Sequence, residues 1–228
     1  HVATESSFVA GHSLGEYSAL TAAGTFSLGD AARVLKTRGQ SMQQAVPVGQ
    51  GAMAAIIGVD LDVAEAIAAE AAGEDVCTAA NDNAPGQIVI SGTAAAVDKA
   101  IDEARATGLR RAVKLPVSAP FHCGLMAPAA EVMSMALAAT KMKDAKMPVF
   151  CNVTASAETF ADYLRDNLVT QVTARVRWRE SLIAMHAAGC QRFIELGTGK
   201  VLSGLVKRSL VDVRVANLDG PDDVDSVL

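Results

Sequence analysis

Cysteine is sparse in this chain and never closely spaced. Cys77, Cys123, Cys151 and Cys190 stand apart, with no C-x-x-C pair among them. That excludes a disulfide scaffold or a cysteine zinc site and points to a reducing compartment. A positive surplus is lacking too: 20 Lys and Arg stand against 25 Asp and Glu, a formal net charge of −5. General nucleic-acid binding is therefore not expected. No apolar run approaches the roughly 18 residues of a membrane span, and Gly51 to Val59 is about the longest candidate. No basic stretch leads into an apolar one at the front, so nothing reads as a signal peptide. Aromatic residues make up only 4%, and there are four histidines. Hydrophobic residues, by contrast, are half of the 228, which rules out a disordered chain and supplies material for a sizeable core. The expectation is a cytoplasmic α/β protein of one large or two small domains.

Residues 7–10 form a short apolar segment that runs into Gly11-His12-Ser13-Leu14-Gly15, followed by helix-compatible residues to Ala23. Ser27-Leu28-Gly29-Asp30 has the form of a capping box and opens a helix to about Ala45. The rhythm then changes. Strand-like 52–59, helical 60–72, strand-like 76–80 and 87–91 around a loop at 81–86, helical 93–107 and strand-like 111–117 follow in order. This β-α-β-β-α-β series predicts a split βαβ, ferredoxin-like unit. It reads as a small subdomain, residues 48–116, inserted into a larger domain of residues 1–47 and 117–228. Beyond it, helix 123–140, strand 147–153, helices 160–169 and 179–188, strand 191–196 and helix 201–210 imply a mostly parallel sheet covered on both faces. A central parallel strand usually has neighbours formed earlier in the chain, so a strand this near residue 1 predicts a further N-terminal segment.

Gly11 to Gly15 fits G-x-S-x-G at a strand-to-helix junction. Flanking glycines permit the strained turn that pushes the Ser13 hydroxyl outward, and the Leu14 amide at the start of the next helix can donate to an oxyanion. A serine nucleophile needs a base. His1 is terminal, His12 is expected to point away from Ser13, and His186 sits mid-helix. His122, after Pro120 and Phe121 at a strand-to-helix junction, is the candidate, and a helix N-terminus would keep it neutral. No acid to orient it is evident, although Asp162, Asp166 and Glu195 are candidates; a backbone carbonyl would serve as well. Arg38 falls inside the apolar stripe Ala31, Val34, Leu35, Met42, Ala45, with no acid at i±3 or i±4. A guanidinium there needs a distant carboxylate or a ligand's carboxylate, which its fork grips at two points. Asn81, Asn83 and Gln87 are weaker candidates for a polar site. Gly197-Thr198-Gly199-Lys200 resembles a phosphate turn without P-loop spacing. No metal site is expected.

Taken in order, Gly11-His12-Ser13-Leu14-Gly15-Glu16-Tyr17, Arg38-Gly39-x-x-Met42, Ala52-Met53-Ala54-Ala55-Ile56, Asn81-x-x-x-Pro85-Gly86-Gln87, Pro120-x-His122 and Glu195-x-Gly197-x-Gly199-Lys200-Val201-Leu202 resemble one family over essentially the whole chain: the malonyl-CoA:acyl carrier protein transacylases of fatty-acid synthesis. The resemblance implies an α/β-hydrolase-like core with an inserted ferredoxin-like subdomain. It implies that Ser13 carries the malonyl ester, that His122 is general base and then acid, and that the main-chain carbonyl of Gln171 orients it. Arg38 would pair with the malonyl carboxylate, and the Leu14 amide would be half of the oxyanion hole. Phe121 is similar to the residue of malonyl-selective members, and the matched motifs bring His12, Met42 and Asn81 toward substrate. The family begins with a strand and a Gly-Gln-Gly loop that completes the oxyanion hole. This chain does not contain it at the front; Gly49-Gln50-Gly51 stands in the wrong place. No cofactor is implied, because coenzyme A is a substrate carrier. The expected partners are malonyl-CoA and an acidic acyl carrier protein, met by a basic surface drawn from Lys200, Lys207, Arg208, Arg175 and Arg177. Neither nucleic acid nor membrane is expected as a partner, and a monomer is the expected state. A serine esterase or thioesterase, or an acyltransferase-like module without turnover, stays open beside this reading.

Overall fold

A computed structural model describes residues 7–109 and 111–226. Strand β1 (Val9–Ala10) leads through the glycine turn into helices α1 (Leu14–Ala22) and α2 (Leu28–Ala45). Helix α2 starts where its capping signal lies: Ser27 Oγ accepts the Asp30 N–H at 3.1 Å, a cap worth about 1 kcal/mol. The α2 stripe through Ala31, Val34 and Met42 buries against Tyr17 and Leu20 of α1. Met133 and Leu137 of α5 (Ala127–Ala138) and Leu164 and Leu168 of α6 (Ala161–Gln171) complete that core. A short 3-10 turn, Gly124–Met126, precedes α5, so the helix expected from 123 begins four residues later.

The four-stranded sheet has the order β3-β4-β2-β5 and is antiparallel throughout, built from β2 (Gly51–Ile57), β3 (Cys77–Ala84), β4 (Gln87–Thr93) and β5 (Arg111–Lys114). Helices α3 (Leu61–Ala72) and α4 (Ala94–Ala106) close one face, through Ile67, Ala68, Val97 and Ile101. This is the strand order of a ferredoxin-like unit. One expectation is corrected: residues 81–84 are not loop. β3 runs on to Ala84 with register shifts at Ala79/Asn81 and Asp82/Ala84, and the turn is only Pro85-Gly86. The polar residues stay in the strand because tertiary partners take them. The Asp82 N–H donates to the Val176 carbonyl at 2.9 Å, and the fully buried Asp82 carboxylate accepts from Arg179 at 3.0 Å.

The remaining strands form two pieces. β6 (Val149–Cys151) lies parallel to β1, with β7 (Ser156–Glu158) antiparallel beyond it, while β8 (Arg192–Leu196) pairs in parallel with β9 (Arg214–Leu218). A groove of about 630 Å³, lined by Val9 and Ala10 on one side and Phe193 and Ile194 on the other, lies between them. Helices α7 (Trp178–Ala187) and α8 (Val201–Ser209) pack Leu182, Met185, Leu205 and Val206 over Phe150 and Phe193. β7 and β9 have no counterpart in the sequence reading: Ser-Ala-Glu carries no strand signal, and Arg214–Leu218 borrows its order from β8. The fold is α/β, a hydrolase-like core with an inserted ferredoxin-like subdomain. Among the described residues no helix is long and apolar enough to cross a membrane.

Candidate active site

Arg38, His122, Asn152 and Gln171, from four separate segments, converge on Ser13, and His122 and Arg38 reach its hydroxyl. The turn that presents it is strained: Ser13 has φ of 52°, a conformation that costs an L-residue on the order of 1–3 kcal/mol. Asn152 holds that turn from below. Its Oδ1 accepts the Ser13 N–H at 2.7 Å, and its Nδ2 donates to the Gly11 carbonyl at 2.8 Å. The two flanking glycines are not equivalent. A Cβ at Gly11 would lie 1.9 Å from the Gly15 carbonyl oxygen, whereas a Cβ at Gly15 meets nothing within 4 Å. Only Gly11 is required by the local packing. Gly15→Ala should keep or raise stability, by up to about 1 kcal/mol of helix propensity, while Gly11→Ala should cost about 3 kcal/mol or more. Thermal melting of the two variants checks this; a Gly11→Ala protein that melts with the parent would show slack in the turn.

His122 stands opposite. Its Nε2 lies 2.7 Å from Ser13 Oγ, and its Nδ1 lies 2.8 Å from the Gln171 main-chain carbonyl oxygen. A carbonyl can only accept, so Nδ1 carries the proton and Nε2 is the free lone pair that takes the serine hydrogen. His122 also has positive φ, 59°. Burial, and then the Arg38 charge, push its pKa down to about 3. The sequence reading assigned its neutrality to a helix N-terminus; the cause is desolvation, since only a three-residue 3-10 turn follows.

Arg38 is 6% exposed. Its Nη2 donates to Ser13 Oγ at 3.0 Å and to Gln171 Oε1 at 3.2 Å, and its guanidinium carbon lies 5.6 Å from the centre of the Tyr17 ring. No carboxylate forms an ion pair with it among the described residues, and its Nε is buried without a hydrogen-bond partner. Burying a cation in this state costs several kcal/mol, a cost an arriving carboxylate would offset. The helix stripe correctly put Arg38 inside, and its distant protein partners turn out to be neutral oxygens.

Of the acids considered for His122, Asp166 is exposed on α6 and the other two are engaged elsewhere. Glu195 accepts the N–H groups of Leu202 and Ser203 at 3.0 and 2.7 Å, capping α8. That also occupies the helix terminus behind Gly197-Thr198-Gly199-Lys200 and removes the phosphate-turn reading. Asp162 pairs with Arg165. His186 accepts no catalytic part; its Nδ1 meets the Cys190 carbonyl at 3.0 Å. His1 lies outside the described residues.

His12 turns away from the serine as expected, with Nε2 2.7 Å from Asn83 Oδ1 and its ring edge-on to Trp178 at 5.5 Å. Asn83, not Asn81, is thus the asparagine in contact with a residue of the nucleophile turn; Asn81 is buried in β3, where it bridges Val176. Met42, expected near substrate, is 3% exposed inside the core. Phe121 packs against both the large core and the cluster of Met53, Ala80 and Val89, at the seam of the two units. The Leu14 amide is the first of α1 and so has no partner within the helix. Of the expected basic surface, Arg175 and Arg177 pair with Glu65 and Glu180. Among the described residues no cluster of three or more His, Cys, Asp or Glu is gathered as for a metal.

The sequence reading missed Asn152, Glu16 as a site residue, and the side chain of Gln171. Gln171 is fully buried, with Nε2 2.7 Å from Glu16 Oε2. Burial pushes the Glu16 carboxyl up to about 7, against the hydrogen bonds that favour its charged form. An acid one turn after the nucleophile, beside the buried Tyr17 and Leu20, was the available signal.

Residues 4–221 match the acyl transferase domain family. Among curated proteins, the malonyl CoA-acyl carrier protein transacylase of Bacillus subtilis is 45% identical over 219 residues, 96% of this chain and 69% of that protein. Among solved structures, an acyl-carrier-protein-S-malonyltransferase from Bartonella henselae is 48% identical with a TM-score of 0.96, over 100% of this chain and 73% of its own. A malonyl-transacylase solved in complex with a type II PKS acyl-carrier protein is 39% identical with a TM-score of 0.95, over 97% of this chain and 72% of its own.

Proposed function

This chain belongs to the acyl transferase domain family, and from that membership we propose that it transfers a malonyl group from malonyl-CoA to the phosphopantetheine thiol of acyl carrier protein through an ester on Ser13. The observation that carries the assignment of roles is the convergence of base and cation on one oxygen: His122 Nε2 at 2.7 Å and Arg38 Nη2 at 3.0 Å from Ser13 Oγ. In the first step the Ser13 proton passes to His122 Nε2 as Oγ bonds to the thioester carbonyl carbon. The Leu14 N–H stabilises the resulting oxyanion. The carbon–sulfur bond then breaks, and His122 returns the proton to the departing coenzyme A thiol. In the second step the carrier thiol gives its proton to His122, sulfur bonds to the ester carbon, and Ser13 leaves with the proton restored.

Both donor and acceptor are thiols, so water must be a poor competitor at the ester. Arg38 serves that need by holding the malonyl carboxylate in one pose, and a plain hydrolase would not need a buried cation beside its nucleophile. Coenzyme A and the carrier protein enter as substrates. We read residues 1–47 with 117–228 as the catalytic unit and 48–116 as the unit that closes over it, with Phe121 at the seam.

Intact mass after mixing with malonyl-CoA, with Ser13→Ala as control, tests the reading. A malonyl-sized increment, absent from Ser13→Ala and passed on to acyl carrier protein, is the expected result. An increment lost to water without transfer would replace it with a hydrolase.

A further inference from the structure

Glu16 carries a buried carboxyl that the transfer chemistry does not use, and two distant segments meet on one of its oxygens. Glu16 lies on α1, one turn past Ser13, and is 1% exposed. Its Oε2 accepts the main-chain N–H of Asn152 at 3.0 Å and the side-chain amide of Gln171 at 2.7 Å. Each of these donors belongs to a residue that holds a different part of the site. Asn152 carries the Ser13 turn, through the Ser13 N–H and the Gly11 carbonyl. Gln171 carries the His122 ring on its main-chain carbonyl and meets Arg38 with its side-chain oxygen.

The chemistry of the carboxyl oxygen decides which way the Gln171 amide faces. Oε2 is an acceptor, so Gln171 must present its NH₂ to Glu16, and its oxygen is then turned toward Arg38. A flipped amide would set oxygen against carboxyl oxygen and NH₂ against guanidinium, two like contacts in a dry interior where such mismatches are costly. The same contact draws residue 171 toward α1, which sets the height of the carbonyl beneath His122.

We propose that Glu16 is a positioning residue of this site, whose carboxyl oxygen clamps Asn152 and the Gln171 amide so that the nucleophile turn, His122 and Arg38 hold one mutual register. The inference rests on the proposed transfer at Ser13. It makes a specific demand: the acceptor oxygen at position 16 matters to acyl selectivity, although Glu16 acts on the acyl group only through Gln171 and Arg38.

Single-turnover loading of malonyl and acetyl from their coenzyme A esters, normalised to folded protein, tests it in the parent, Glu16→Ala and Glu16→Gln. Glu16→Ala should load malonyl about 100-fold more slowly, the scale of a misplaced catalytic geometry, and its malonyl-over-acetyl ratio should fall with it. Glu16→Gln should recover most of both, because its amide oxygen accepts the same two N–H groups. A folded Glu16→Ala with the parent's selectivity, or a Glu16→Gln as impaired as Glu16→Ala, overturns the proposal. If Glu16→Ala does not fold, Gln171→Leu carries the test, since it deletes the amide and keeps the main-chain carbonyl for His122. The ratio should fall there too, and an unchanged ratio overturns the clamp. A parent chain that never esterifies Ser13 would instead refute the transfer reading on which the clamp rests, so the two failures are distinguished by that control.

Discussion

Malonyl loading by a His122→Ala chain is expected to fall by about 10⁶-fold, the scale seen when a serine nucleophile loses its base. Ser13 Oγ then retains a bond from Arg38 Nη2 at 3.0 Å, but Arg38 only donates and cannot accept the hydroxyl proton. Rapid-quench mass spectrometry of the ester measures the rate, and a loss under tenfold would remove His122 from the mechanism. The same residue predicts an unusual pH profile. With a pKa pushed down to about 3 by burial and the Arg38 charge, His122 stays neutral throughout the mildly acid range. Loading should therefore hold a plateau through pH 5.5, where a histidine of ordinary pKa would lose about tenfold. An inflection near pH 6.5 that survives Glu16→Gln would contradict this. Stability carries the opposite sign. The unfolded chain binds the proton more readily, so stability present above the ordinary histidine value is lost as pH falls below it toward about 3. The His122 share of that loss is about 1.4 kcal/mol per pH unit. Between about pH 7 and 4.5 the raised Glu16 carboxyl contributes with the opposite sign, so the net loss appears below about pH 4.5, where His122→Ala should flatten it in denaturant titrations.

Arg38→Ala should collapse the preference for malonyl over acetyl. Losing a buried charged hydrogen-bond partner typically costs about 2–5 kcal/mol, or roughly 30- to 4,000-fold, and here the cost falls on the acyl group that brings a carboxylate. Arg38→Lys should recover only part, because an ammonium keeps the charge without the planar fork. Competition between malonyl-CoA and acetyl-CoA in one loading reaction reads the ratio directly. If malonyl is still strongly preferred by Arg38→Ala, the carboxylate is held elsewhere. The variant should melt no lower than the parent by more than a modest amount, since Arg38 has no ion pair to lose and its Nε is unsatisfied.

How far the sequence reaches is visible residue by residue. Ser13, His122 and Arg38 were each legible because their types violate their surroundings: a serine on a strand-to-helix turn, a histidine after Pro120-Phe121, a cation inside an apolar stripe. Gln171 was reached only by resemblance, since a main-chain carbonyl leaves no mark on side-chain pattern. Asn152 and Glu16 were given no role. Asn83 was named but ranked below Asn81, because the bulges of β3 that set which asparagine meets His12 are invisible to a simple alternation count.

Local physics therefore determined the helices, the capping of α2, the β-α-β-β-α-β order of the small unit and the residue types able to do acyl chemistry. These depend on spacing and propensity within a dozen or so residues. The tertiary structure alone decided that Gly11 is indispensable and Gly15 is not, that burial and not a helix terminus keeps His122 neutral, and that Asp82 and Glu195 are taken by Arg179 and by α8. It alone joined Ser13, Asn152 and Gln171 through Glu16, across separations of 136 and 155 residues. A hydrogen bond over such a distance is chosen by packing of whole elements, and no short window of sequence contains both of its ends.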